Sequence, residues 1–219
     1  LLPMNAVPGA PSHVPRIEAY EHCLRGRYFW AELTPSNMAT AVRSFQKAAS
    51  LDPAWAAPHV GLADAHILFA FAGALPAKSA LDLAVASADR AIDRDPGLPE
   101  AHVTRGFLAL LREGRTDAAR QALDHAIDLA PAARGLRQWR GLLLALLGDL
   151  DAARGEIALA READPLSALA NALAALVHET AGEFDAEAEL ARQAVELRPD
   201  RFLGHWSLGV ALVLGGHGA

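Results

Sequence analysis

Cysteine is almost absent. The 219-residue chain carries Cys23 alone, which excludes an internal disulfide and any cysteine-built zinc or redox motif, and fits a reducing compartment. Aromatic residues are scarce at 6%, and the β-branched runs that favour strands are few. No apolar run reaches the ~18 residues that a membrane span needs, because Arg, Asp, Glu or His interrupts each one. The opening "LLPMNAVPGAPSHVP" has no basic stretch and four prolines, so it reads as neither a signal peptide nor a helix. Positive charge is also short: 20 Lys and Arg stand against 26 Asp and Glu, a net charge of -6. That balance argues against a broad electrostatic grip on nucleic acid or on an anionic membrane.

What the chain has in excess is alanine and leucine, within a hydrophobic content of 52%. These are the best helix formers, and the expectation is an all-α protein. Their arrangement is periodic. "GRTDAARQALDHAIDLAP", "GDLDAARGEIALAREADP" and "GEFDAEAELARQAVELRP" share glycine and proline at the same places, and Gly114, Gly148, Gly182 and Gly216 lie 34 residues apart. A fixed period of this length marks a stacked helical repeat. Pro53, Pro96, Pro131, Pro165 and Pro199 are the joints, since proline inside a helix costs ~3 kcal/mol. The glycines supply the positive φ of a helix end and tight turn. Ahead of each joint stand Ala41, Phe45 and Ala48; Ala84, Ala88 and Ala91; Ala119, Leu123 and Ala126; Ala153, Ile157 and Ala160. Steps of 4 and 3 put each trio on one helical face, with small residues that let backbones approach. Glu187 breaks this pattern by taking an alanine's place.

In these features the chain resembles the tetratricopeptide repeat family. The family's first-helix slots are filled by Leu62-Ala63 with His66, Gly106 with Ala109, Gly141 with Leu144, and Leu208-Gly209 with Leu212. The resemblance implies a right-handed α-solenoid of antiparallel helix pairs. Residues 1–16 read as a linker and 17–219 as the repeat domain, with repeats at about 17–53, 54–96, 97–131, 132–165 and 166–199 and a partial sixth at 200–219. Starting on Leu1, the chain looks like a fragment of a longer protein. A sixth second helix is missing, so Leu208, Val210, Leu212 and Val213 are expected to face water or a partner. Residues 20–66, with "YEHCLRGRYFW" and "DPAWAAPHVGLADAH", are similar to repeat regions that follow the effector module in bacterial winged-helix regulators, nucleotide cyclases and protein kinases. That implies a cytoplasmic, bacterial signalling or transcription-regulating context.

Chemistry is harder to build. His59, His102 and His205 fall at one place in their repeats, about 10 Å apart by helix diameter, too far to share a zinc ion that bonds each ligand at ~2 Å. His59 and His66, seven residues apart, are also too distant to chelate. No nucleophile, base and orienter converge, and no G-x-S-x-G or phosphate-cradling glycine loop occurs. The reading is therefore not an enzyme, with no catalytic residue, cofactor or metal.

Arg105 and Arg140 precede the first-helix glycine where the family usually has leucine, and Arg25 precedes Gly26 likewise. Such arginines need carboxylates, Asp124 or Glu156 for example, because an unpaired buried charge is expensive. The sharper alternative is an anion-binding row of Arg105, Arg134, Arg137 and Arg140. By analogy with the family, the concave groove would be lined by Val60, Asp64, Val103, Phe107, Gln138, Leu142, Leu176 and Trp206. The lysine, asparagine and arginine with which family members clamp a peptide's terminal carboxylate are almost absent there, which leaves an apolar groove for a helix, an apolar peptide or a hydrophobic ligand. The expected function is a non-catalytic protein-protein interaction scaffold binding a protein or peptide partner, with self-association open. The alternative is a sensor holding a small apolar or anionic ligand in the groove.

Overall fold

The computed structural model describes residues 13–32, 35–71, 73–130 and 134–216. Pro131, the opening segment 1–12 and residues 217–219 lie outside the described residues, as do the side chains of Arg134 and Phe202. Among the described residues there are eleven helices and no strand. They pair in chain order: α1 (Ile17–Glu32) with α2 (Pro35–Leu51), α3 (Ala57–Phe71) with α4 (Ala77–Arg94), and α5 (Pro99–Leu111) with α6 (Thr116–Leu129). α7 (Arg134–Leu146) pairs with α8 (Leu150–Ala163) and α9 (Ala168–Thr180) with α10 (Phe184–Leu197), and α11 (Phe202–Leu214) packs on α9 and α10.

The four hairpins from α3–α4 to α9–α10 turn at a glycine in the left-handed region: Gly73 (φ 66°), Gly114 (65°), Gly148 (84°) and Gly182 (72°). A side chain would be strained there. The turns close by bonds running back over the last helical turn, such as Asp149 N–H to Leu144 O (2.9 Å) and Glu183 N–H to His178 O (3.0 Å), which satisfy carbonyls that a helix end leaves unpaired. At the joints a proline enters the next helix, as Pro99 does in its first turn, or Ser167 caps it by accepting from the Ala170 N–H at 3.2 Å, each as helix starts prefer.

In three of the hairpins the two helices touch where one residue has no side chain. A Cβ placed on Gly26 would lie 2.6 Å from the Phe45 ring, one on Gly106 3.2 Å from the Ala119 carbonyl oxygen, and one on Gly141 2.7 Å from Ile157 Cγ1. The trios of the second helices are the other half of that contact: all twelve residues are at most 5% exposed. The core is therefore a chain of small clusters. One joins Cys23, Ala41, Phe45 and Leu62; another, the largest, runs from Leu123 through Leu143, Ile157 and Val177 to Leu190.

First helices also pack on the next first helix, from α1 to α3 and on to α11, while α2, α4, α8 and α10 also meet the first helix that follows them. A stack whose first helices sit closer together curves with those helices inside. At its last helix, Val213 is 72% exposed and Leu208, Val210 and Leu212 are partly buried.

Two glycines of one hairpin give opposite expectations. Gly141→Ala should cost about 1–3 kcal/mol by overpacking, since Ala153 O is backbone and cannot move far from the added carbon at 3.2 Å. Gly155→Ala, exposed in α8 with nothing within 4 Å, should gain about 0.5–1 kcal/mol. Urea unfolding followed by far-UV circular dichroism checks both, and equal effects would refute the close-approach account.

Candidate functional site

The curvature brings together residues far apart in sequence. Trp30, near the end of α1, lies with its ring centroid 6.0 Å from that of Trp139 in α7, and Phe107 of α5 meets Trp139 edge to face at 6.4 Å. Three first helices from repeats one, three and four thus join through aromatic rings across the inner face. The Trp30 Nε1 is buried there with no hydrogen-bond partner, a cost of about 1–3 kcal/mol by the usual desolvation of a donor. The edge-to-face Phe107–Trp139 pair contributes about 0.5–1.5 kcal/mol beyond area burial, which offsets part of that cost.

Of the residues expected to line the groove, Val60 and Val103 offer little surface. Val60 is 8% exposed and packs with Ala56, Ala91 and Ala101; Val103 is 4% exposed and packs with Ala126 and Leu136. The reason is that an interior first helix is covered by its own second helix, the previous second helix and two neighbouring first helices, leaving a narrow inner strip. Phe107, Gln138, Leu142 and Leu176 are partly buried, and Trp206 is 53% exposed. Asp64 is partly buried and accepts from Thr104 Oγ1 at 2.9 Å, one first helix to the next. Burial pushes its carboxyl up to about 6, against the Thr104 bond and the attraction of Arg27.

The arginines are matched with carboxylates. Arg105 reaches Glu113 Oε1 (2.8 Å) and Asp89 Oδ1 on the preceding α4 (3.1 Å). Glu156 takes Arg137 on one oxygen (3.1 Å) and Arg140 on the other (3.0 Å). Arg140 is only 8% exposed, and burial lowers its pKa while Glu156 and Asp124 hold it up. These three guanidinium groups are thus tied to partners on the helices. The side chain of Arg134 lies outside the described residues.

The recurrent histidines have a structural use that sequence alone did not show. His102 Nε2 bonds the Pro96 carbonyl oxygen and His205 Nε2 the Pro199 carbonyl oxygen, both at 2.8 Å. Asn171, 34 residues before His205, donates to the Pro165 oxygen at 3.3 Å. One position thus latches α5, α9 and α11 to the joint before each. His59 is buried instead, both nitrogens without a partner, and desolvation lowers its pKa to about 4. Among the described residues no three His, Cys, Asp or Glu side chains are grouped so as to hold a metal ion, and no helix is long and apolar enough to cross a membrane.

The tetratricopeptide repeat model matches residues 99–132. No curated protein matches the chain in sequence. Among solved structures it is similar to TTC0263, a tetratricopeptide protein of Thermus thermophilus, at 18% identity and a TM-score of 0.66, over 89% of this chain and 99% of that one. It is similar to human IFIT1 determined with m7Gppp-AAAA, at 16% identity and a TM-score of 0.73, over 90% of this chain and 47% of that one. PilW, a type IV pilus biogenesis factor, aligns at 16% identity and a TM-score of 0.54, over 91% and 88% of the two chains. The fold is a tetratricopeptide-repeat solenoid.

Against that repeat pattern, Glu187 is the exception in packing as well as in sequence. It occupies the place of Ala119 and Ala153, is fully buried, and neither carboxylate oxygen has a hydrogen-bond partner. Desolvation, reinforced by Glu179, pushes its pKa up to about 7. The folded repeat thus holds a proton that the unfolded chain releases near 4.5. Its contribution is fully present below pH ~4.5 and is lost as pH rises toward 7, by about 1.4 kcal/mol per pH unit. Glu187→Gln should remove this slope and raise the Tm at pH 8. Thermal unfolding between pH 4.5 and 8 tests it, and parallel curves for the two proteins would show that Glu187 is not the titrating group.

Proposed function

We propose that the chain is a non-catalytic protein-protein interaction scaffold whose partner, a helix or peptide with apolar side chains, seats on the inner face. The observation that carries this reading is the strip of first-helix side chains that the packing leaves partly exposed: Phe107, Leu142 and Leu176, with Trp206 exposed at one end and Asp64 and Gln138 as polar points. Apolar anchors flanked by a few polar groups are what helix-in-groove and peptide recognition use. Val60 and Val103 support the strip from beneath.

The pairing of Arg105, Arg137 and Arg140 with carboxylates disfavours an anion-binding row, because an incoming anion would have to displace a bonded partner. The Trp30–Trp139 contact weighs against a small ligand enclosed at that place, since the chain's own rings occupy it. We place the scaffold as a regulatory or assembly module of a bacterial signalling or transcription-regulating protein, cytoplasmic, acting without direct nucleic-acid or membrane contact. The similarity of residues 20–66 to the repeat regions of such proteins and the net charge of -6 support that setting.

The test replaces Phe107 and Leu142 with aspartate and compares the proteins held by the immobilised wild-type and variant chains from native extract, with Gly155→Ala as a folded control. Partners should fall at least tenfold for the double variant and stay level for the control. Retention of every wild-type interaction by the double variant would overturn the groove reading. Native mass spectrometry of the same samples reports self-association as a doubled mass.

A further inference from the structure

The first hairpin carries a cavity of about 310 Å³ between α1 and α2, away from the groove residues. His22 and Arg25 line it from α1, and Arg43 and Lys47 from α2; Phe29 adds an apolar wall, and Thr40 and Ser44 complete it. Among the described residues no carboxylate lines this cavity. Four basic side chains converge without an acid in a chain whose net charge is -6.

The internal repeats show what this position normally meets. Gly26, Gly106 and Gly141 are equivalent, each pressed against its own second helix. The preceding residues Arg25, Arg105 and Arg140 are therefore equivalent too. Arg105 bonds Asp89 of the preceding second helix at 3.1 Å. Arg140 bonds Glu156 of its own second helix and feels Asp124 of the preceding one. Asp89 and Asp124 share a register, each following a fully buried trio residue, Ala88 or Leu123. In the first hairpin the place of Glu156 is held by Ser44, which likewise precedes the buried residue against the glycine, Phe45. Arg25 thus lacks the carboxylate of its own repeat, and Arg43 and Lys47 add charge beside it.

We infer that this cavity is a docking site for an acidic helix of a partner protein, packed on α1 as α4 packs on α5, with an aspartate or glutamate at the register of Asp89 bonding Arg25. Arg43 and Lys47 set the acidic preference, and Phe29 accepts the apolar edge of the helix. The surface is separate from the inner strip, so its occupancy is independent of partner binding there.

The probe is a fluorescein-labelled peptide of residues 77–96, the chain's own α4, titrated into the whole chain and read by anisotropy. Saturable binding is expected. It should weaken at least tenfold with Arg25→Ala plus Arg43→Ala, similarly with Asp89→Asn in the peptide, and fall as salt rises. Arg25 and Arg43 are exposed, so the variant should keep the wild-type dichroism, and Lys47→Ala gives a second, milder variant. Absence of saturable binding, or equal binding of the Asp and Asn peptides, would overturn the proposal. Displacement by low-millimolar inorganic phosphate with no difference between the two peptides would make the cavity a simple anion pocket and overturn it as well.

Discussion

The structure rests on one steric condition: at one point in a hairpin, a residue without a side chain must let two helices approach. Gly26 against Phe45, Gly106 against the Ala119 carbonyl and Gly141 against Ile157 meet that condition in three hairpins. Close approach turns alanine, a poor source of apolar area, into an adequate core residue, because dispersion contacts depend on separation more than on side-chain size. It also explains a chain rich in alanine and poor in aromatics. Large side chains on both helices would hold them apart, so the one large ring at such a contact, Phe45, faces a glycine, while Trp30, Phe107 and Trp139 meet on the inner face.

Curvature follows from the same packing and produces the only candidate groove that the inner face offers among the described residues. Because first helices pack on first helices, small rotations per repeat add up. By the fourth repeat Trp139 has come back within ring contact of Trp30. The inner face is therefore narrow where these rings meet and more exposed toward Trp206. A partner that binds along it meets a surface graded from closed to open, which favours an extended or helical segment over a globular one.

Much of this was legible from residue spacing. The phased Gly114, Gly148 and Gly182 located three hairpin turns, and trios at steps of 4 and 3 located faces that are buried in every described case. These signals are local, set by backbone sterics and by periodicity within one helix. What stayed hidden depends on distance accumulated across repeats. No pattern marks Trp30 and Trp139 as neighbours, since their contact needs three repeats of rotation. Val60 and Val103 looked like groove residues because an analogy gives helix positions, whereas burial depends on four surrounding helices. The recurrence of His102 and His205 was visible, but their bond to the proline carbonyl six residues earlier needed the geometry of the joint; Asn171 in the same role shows that the position selects a donor reaching backward and not an imidazole.

A quasi-linear array also explains how Glu187 and Arg140 are tolerated. In a single globular core, a fully buried carboxylate without a partner would weaken the whole cooperative unit. Here, the Trp30–Trp139 ring contact aside, a repeat packs mainly on its neighbours, so the penalty at α9, α10 and α11 is confined to that interface while the other hairpins keep their own clusters. Arg140 shows the complementary case, where Glu156 lies within one helix pair and supplies the missing charge locally. Local tolerance of this kind lets single positions in the repeat drift from apolar to charged, and an outer face of one hairpin then carries whatever charge the drift has placed there. The basic face of the first hairpin is such a surface, and its charge is opposite to that of the chain as a whole.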